Sequence, residues 1–273
     1  MKKKRIELAL ITGGSSGIGL ALAKSLAVQG VSLCLLARDQ AKLDRAKTEL
    51  ETLITQENQT IEIISCDVRD HESLSEHLER WTIEAGVPDL VINSAGVTYP
   101  GYFQELDIET FHWLMDVNYF GTVHVLKCLL PKMMQQGSGV IVNISSQAGF
   151  LGVFGYSGYS ASKYAVRGFT DVLRSEMKPH GIQFHLVYPP DTQTPQLEFE
   201  TPLKPPETKA IAGKSSLLTA EQVANDILKG VDRGRYVIIP GFEGKIFYRL
   251  INLLGNLTYP ILDWMVHRAQ KIK

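Results

Sequence analysis

Residues 6–30 read IELALITGGSSGIGLALAKSLAVQG, and the fold is decided here. Residues 6–12 are an apolar run of strand length, 13–19 a glycine-rich turn, and 18–29 repeat apolar residues at helical spacing until Gly30. A strand that passes through glycines into a helix brings backbone N–H groups and a helix's positive end to one point, where a pyrophosphate can sit. The spacing is G-x-x-x-G-x-G on Gly13, Gly17 and Gly19, which differs from the G-x-G-x-x-G dinucleotide fingerprint. The Lys-Ser/Thr pair of a P-loop is missing, which disfavours nucleoside triphosphate hydrolysis.

Working outward, strands are predicted at 31–37, 60–66, 88–93, 140–145, 183–188 and 236–239, and helices at 40–53, 74–84, 110–134, 160–178 and 219–230. Thr219 and Gln222 have the spacing of a capping box. Strands separated by helix-length segments imply βαβ crossovers, hence an α/β fold: a single doubly wound Rossmann-type domain with a mainly parallel sheet covered on both faces. Residues 189–216 contain six prolines and few periodic apolar positions. They follow the sixth strand on the ligand side of such a sheet, so an active-site flap, ordered but mobile, is expected rather than a linker.

The 273 residues correspond to about 1.8 average domains, a length that allows two small units or one large one. The strand pattern favours the second, with a catalytic domain over 1–240 and an apolar extension over 241–273. Lys plus Arg total 28 against 29 Asp plus Glu, so net charge offers no general attraction for nucleic acid or anionic lipid. Cys34, Cys66 and Cys128 are dispersed in apolar stretches, as buried thiols of a reducing compartment would be. The basic start MKKKR precedes an apolar run too short for a signal peptide, and no uninterrupted apolar stretch reaches 18 residues, so a cytoplasmic protein without a conventional span is expected.

Several polar residues fall at predicted carboxyl ends of strands. Arg38, after the second strand, stands where an acidic residue would bind the ribose of NAD; its guanidinium suits a 2′-phosphate, and Ser15 or Ser16 can add a hydroxyl, favouring NADP(H). The rival is a plain surface pair of Arg38 with Asp39. Asp67, and Asn93 with Ala95 and Gly96 in NSAG, lie on the same rim and suit the adenine and the nicotinamide-side ribose, although either could be an ordinary turn. Tyr159 and Lys163 are four apart at the start of a helix and therefore share one face. An ammonium beside a phenol favours the phenolate and eases proton exchange with an alcohol or ketone oxygen, and Ser146 can donate to the same oxygen. A bare YxxxK pair could also be a solvated helix pair. Tyr156 and Ser145 are competitors without the complete spacing, Tyr156 fitting better as a pocket wall. Asn118 lies inside a long predicted helix, where its amide could distort the hydrogen-bond ladder or hold a water near the lysine.

Together, TGGSSGIG at 12–19, NSAG at 93–96, Asn118, Ser146 and YSASK at 159–163 resemble the short-chain dehydrogenase/reductase family, over residues 6 to about 239. The resemblance implies metal-free hydride transfer, with Tyr159 as general acid in reduction, Ser146 orienting the carbonyl, Lys163 lowering the phenol pKa and Asn118 supporting a proton relay. It implies cofactor contacts from Gly13, Ser15, Ser16, Gly17, Ile18, Gly19, Arg38, Asp67, Val68, Asn93, Ala95, Gly96, Tyr159, Lys163, Thr192 and Thr194. Such sequences carry Pro-Gly after the sixth strand and a threonine that contacts the nicotinamide amide. Here the stretch is Pro189-Pro190-Asp191-Thr192-Gln193-Thr194, in which Thr194 fits and Pro190 does not.

SSQAG at 145–149, FGY at 154–156, Arg167-Gly168 and YPPDTQTP at 188–195 resemble the 3-ketodihydrosphingosine reductase branch of that family. This implies NADPH-dependent reduction of a lipid-like ketone, 3-ketodihydrosphingosine to dihydrosphingosine. Another hydrophobic or small polar ketone or alcohol stays open as substrate, as does a non-catalytic NADP(H) sensor, and YPPDTQTP could be only a rigid loop. Pairing of long helices would give a homodimer or homotetramer. Residues 247–265, FYRLINLLGNLTYPILDWM, are apolar but interrupted by Gly255, Asn256 and Pro260. As one amphipathic helix the segment would lie on a membrane, placing the protein at its cytoplasmic face; a lid or subunit interface is the alternative.

Overall fold

A computed structural model describes residues 5–212 and 217–271. The basic lead-in at 1–4, part of the expected flap at 213–216, and the terminal residues 272–273 lie outside the described residues. The strands are β1 (Leu8–Thr12), β2 (Ser32–Ala37), β3 (Ile61–Ser65), β4 (Leu90–Asn93), β5 (Gly139–Ile144), β6 (Ile182–Val187), β7 (Thr192–Gln193), β8 (Leu218–Thr219) and β9 (Val237–Ile238). Seven form one sheet in the order β3-β2-β1-β4-β5-β6-β9, every neighbouring pair parallel, while β7 and β8 pair separately.

The helices are α1 (Gly17–Ala27), α2 (Gln40–Glu51), α3 (His71–Ala85), α4 (Ile108–Met115), α5 (Gly121–Gln136), α6 (Ser157–Glu176), α7 (Pro195–Glu200), α8 (Pro206–Ala212), α9 (Ala220–Asp232), α10 (Phe242–Leu254) and α11 (Thr258–Gln270). Successive strand side chains point to opposite faces, so Ala9, Ile11, Leu33, Leu35 and Ile92 join a core with α1, α2 and α9. Leu10, Cys34, Leu36 and Val91 join a second core with α3 and α5. Burial on both faces explains why these strands read as continuous apolar runs rather than alternating ones.

The helix predicted over 110–134 is divided into α4 and α5 by a π-helical turn, Asp116–Phe120, centred on Asn118. The flap stretch contains short helices, and proline opens them: Pro195 and Pro206 start α7 and α8, where a missing N–H removes no helical hydrogen bond. The carboxyl-terminal segment is two helices rather than one. Gly255, at φ +52°, breaks the chain between α10 and α11, and Pro260 falls in the first turn of α11. Tyr248, Ile251 and Leu262 turn inward onto Phe150, Leu186, Tyr188 and Ile239, and α11 packs against α8. No described helix is long and apolar enough to cross a membrane.

The capping box predicted at Thr219 forms: its hydroxyl accepts from Gln222 N–H at 3.2 Å, and the Gln222 side chain accepts from Thr219 N–H at 2.9 Å. Thr219→Ala is expected to destabilise the protein by about 1 kcal/mol, lowering the melting temperature by roughly 2–4 °C in calorimetry.

Candidate active site

The strand order reverses between β1 and β4, which opens a crevice at their carboxyl ends. The β1–α1 turn is pressed against the loop after β4. Thr12 Oγ1 accepts from both Ser94 and Ala95 N–H at 3.1 Å, and a Cβ at Gly13 (φ +66°) would lie 2.9 Å from the Ala95 backbone. A Cβ at Gly19 would overlap the Gly13 carbonyl, while Gly17 (φ +53°) faces the Thr194 methyl. Ser16 occupies the N-cap of α1 without a side-chain cap bond, leaving the positive end of the helix to a ligand. This cradle fits a dinucleotide pyrophosphate, with Gly13, Ser15, Ser16, Gly17 and Gly19 around it. Ile18 also packs against the core.

Asp39 does not occupy Arg38. Its carboxylate caps α2, accepting from Lys42 N–H at 3.0 Å and pairing with Lys42 Nζ at 3.7 Å. Among the described residues, the Arg38 guanidinium pairs with the Asp67 carboxylate, at 3.9 Å, and it stays half exposed. Burial alone would raise the Asp67 pKa, but hydrogen bonds from the Arg69 side chain and backbone, with the charges of Arg69 and Arg38, hold it below the usual value. Lys42 and Arg45 join Ser15 and Ser16 in lining a cleft of about 340 Å³ beside the glycine turn. No motif marks these two cations; their three-residue spacing on α2, after Arg38, was the available signal.

Asn93 is buried and donates to Asn143 Oδ1 at 2.8 Å, and Asn143 donates to Thr170 Oγ1 at 2.9 Å. Its side chain thus ties β4 to β5 and α6, and the NSAG segment meets the crevice through Ser94, Ala95 and Gly96. Val68 packs in the second core. Thr192 is buried and donates to the Pro190 carbonyl at 2.8 Å, whereas Thr194 caps α7 beside Gly17.

Ser146 follows β5, and its Oγ accepts from Ala148 N–H at 3.1 Å, which leaves its own hydrogen to donate. The Ser146 and Gln196 side chains are beside Tyr159 and act to lower its phenol pKa. Lys163 Nζ lies 5.7 Å from the Tyr159 ring centre and donates to the Ile144 carbonyl at 3.1 Å. Gly96 lies against both Lys163 Nζ and Asn118 Oδ1. Ser145 is structural, donating to the Lys163 carbonyl at 2.9 Å. Burial, reinforced by the Glu200 and Asp191 charges and opposed by Ser146 and Gln196, holds the Tyr159 pKa well above the ordinary phenol value, so the phenol is protonated at neutral pH. Burial holds Lys163 down to about 8.

Asn118 is 1 % exposed, and its amide is fully engaged. Oδ1 accepts from Val97 N–H at 2.8 Å, while Nδ2 donates to the Val97 carbonyl at 3.0 Å and Ser162 Oγ at 2.9 Å. Both amide hydrogens are therefore directed to protein, and the side chain positions the loop after β4 at the cost of a regular helical turn.

The sequence profile of short chain dehydrogenases matches residues 7–202. The chain belongs to the short-chain dehydrogenase family. It is 38% identical over 250 residues to the 3-ketodihydrosphingosine reductase of Bos taurus, covering 91% of this chain and 75% of that protein. It is 39% identical over 243 residues to the Dictyostelium discoideum protein of the same name, with 84% and 73% coverage. A short-chain dehydrogenase from Sphingobium yanoikuyae, solved with NADPH, superposes with a TM-score of 0.78 at 28% identity, covering 90% of this chain and 92% of that one. This short-chain dehydrogenase is accordingly an oxidoreductase of alcohol and ketone groups that uses a nicotinamide dinucleotide.

The buried lysine makes the enzyme's stability depend on pH. Its folded value of about 8 lies below the ordinary 10.5, so between these values the unfolded chain holds a proton that the folded chain has lost, and stability gains with rising pH. The full burial penalty operates below pH 8. In urea unfolding of the ligand-free protein, Lys163→Met should therefore have its most favourable stability relative to wild type at pH 7, an advantage that shrinks above pH 8. The buried tyrosines and cysteines are common to both proteins, so the difference isolates Lys163; a pH-independent difference would contradict the assignment.

Proposed function

We propose that this enzyme reduces a long-chain lipid ketone, 3-ketodihydrosphingosine, to the alcohol dihydrosphingosine with NADPH. The observation that carries the proposal is the Ser146–Tyr159 pair at the carboxyl edge of the sheet beside an apolar wall from the last two helices. Phe150, four residues after Ser146, meets the Tyr248 ring edge-on at 5.0 Å. The names of relatives at 38–39% identity agree in substrate.

In this mechanism the Ser146 hydroxyl donates to the ketone oxygen, and Tyr159, kept protonated by burial, delivers its proton as negative charge develops there. The bound cofactor supplies the hydride. Lys163 would hold the nicotinamide-side ribose, Thr192 and Thr194 the carboxamide side, and Asp67 and Val68 the adenine. Asn118 acts by positioning the loop after β4. Burial dominates the phenol's ionisation and suits it to act as an acid in reduction, with Lys163 Nζ 5.7 Å from the ring centre.

The same proposal places the enzyme at the cytoplasmic face of a membrane, touching it through α10 and α11. Phe242, Leu253, Leu257, Tyr259 and Trp264 are exposed there, and Arg268 lies over the Trp264 ring. Two or four copies would pair through α5 and α6, where Tyr164 and Val172 are exposed.

Tyr159→Phe should lower turnover at least 100-fold while leaving NADPH binding, followed by cofactor fluorescence, within a few-fold of wild type. Turnover of a small polar ketone without turnover of 3-ketodihydrosphingosine would overturn the substrate assignment. Arg38→Ala should raise the Kd for NADPH about tenfold, the loss of about 1.4 kcal/mol, with little change for NADH; an equal change for both would remove its selective role.

A further inference from the structure

Proton transfer leaves unexplained a charged network on the substrate side of Tyr159. Glu200, at the end of α7, is 6% exposed, and its Oε1 accepts from the Tyr156 hydroxyl at 3.0 Å and from Lys204 Nζ at 2.9 Å. Lys204, also buried, donates to Asp191 Oδ2 at 3.0 Å and lies 6.0 Å from the Tyr156 ring centre. The Tyr156 and Tyr159 ring centres are 5.6 Å apart. Tyr156 thus connects the reacting hydroxyl's neighbourhood directly to Glu200.

Charge makes this more than a brace for the flap. Two carboxylates and one ammonium leave one net negative charge, and this charge lies close enough to Tyr159 to oppose its ionisation. Glu200 and Lys204 are buried as a neutral pair, while the Asp191 side chain, 44% exposed, leaves the surplus negative charge within reach of a cation entering from solvent. The flap has other attachments: Thr208 donates to the Phe154 carbonyl at 2.8 Å, and the Tyr102 hydroxyl to Glu207 at 2.8 Å. Pro190, in place of the family's glycine, stiffens the backbone immediately before Asp191. A cation carried by the substrate beside Tyr159 would balance this network, because Glu200 reaches the Tyr159 neighbourhood through the Tyr156 ring.

We infer that Glu200, supported by Tyr156, Lys204 and Asp191, binds a protonated amine on the carbon adjoining the ketone and so selects α-amino ketones over neutral ketones of equal length. A substrate ammonium at this place would neutralise the network and offset the carboxylates' effect on Tyr159 as its proton departs. This rests on the reading of the chain as a lipid-ketone reductase and assigns the specificity residue within it.

The test compares 3-ketodihydrosphingosine, its N-acetyl derivative and the ketone lacking the amine, with a short α-amino ketone and its des-amino counterpart as a second pair. Wild type should prefer the charged member of each pair at least tenfold in kcat/KM, mainly through KM. Glu200→Gln should bring that ratio near one by lowering the amine's value while sparing the neutral ketone. NADPH fluorescence and thermal melting establish that the variant is folded and binds cofactor. Asp191→Asn, at the exposed end of the network, should move the ratio several-fold in the same direction and serves if Glu200→Gln does not fold. A wild-type ratio of one, or variants that lower both members equally, overturns the inference. Amine preference confined to the short pair retains the Glu200 assignment and overturns the lipid substrate, whereas inactivity toward every ketone overturns both.

Discussion

No side chain fits at Gly13 or Gly19, because the β1–α1 turn lies directly against the loop after β4 and against itself. This close approach governs the rest of the site. It brings the helix amino end to the crevice where the strand order reverses, and the double acceptance by Thr12 Oγ1 fixes Ser94 and Ala95 to the same place. Gly96 then meets Lys163 and Asn118. One steric constraint therefore links the glycine cradle to the residues around Lys163 and Asn118.

The Ser146–Tyr159 side of the site stands on a buried polar frame. Asn93, Asn143 and Thr170 connect two central strands to α6, while Ser145 and Ile144 tie the end of β5 to Lys163. Each bond satisfies a group that would otherwise be costly to bury, and together they hold Tyr159 and Lys163 on a rigid helix beside Ser146. The π-helical turn at Asp116–Phe120 belongs to this frame, since Asn118 must leave the regular ladder to meet Val97 from both its oxygen and its nitrogen. A local backbone irregularity is thus compensated by three side-chain hydrogen bonds.

The carboxyl-terminal half adds a different environment. Short proline-initiated helices carry buried carboxylates beside Tyr156, and α10 places aromatic rings on the segment after Ser146 while α10 and α11 expose others outward. Gly244 lets α10 approach Gln147 closely, for a Cβ there would lie 2.8 Å from the Gln147 amide nitrogen. This half of the chain thus supplies both a charged network beside Tyr156 and an apolar cluster around Phe150.

The doubly wound fold was legible because its signals are local: apolar runs of strand length, helical periodicity and glycines at the one turn that needs them. So were Ser146, Tyr159 and Lys163, through spacing along the chain, and the Thr219 cap. Tertiary contacts decided the rest. Asp39 lies beside Arg38 in sequence, yet capping geometry turns it toward Lys42. Glu200, Lys204 and Asp191 are ordinary charges in a proline-rich stretch until the chain folds back over Tyr156, and residues 247–265 look like one apolar segment until Gly255 divides it between two helices. Sequence determines this protein's backbone periodicity and the residue types available for chemistry; burial, partner choice and the ionisation of Tyr159 and Lys163 depend on contacts between distant segments, which exist only in the folded chain.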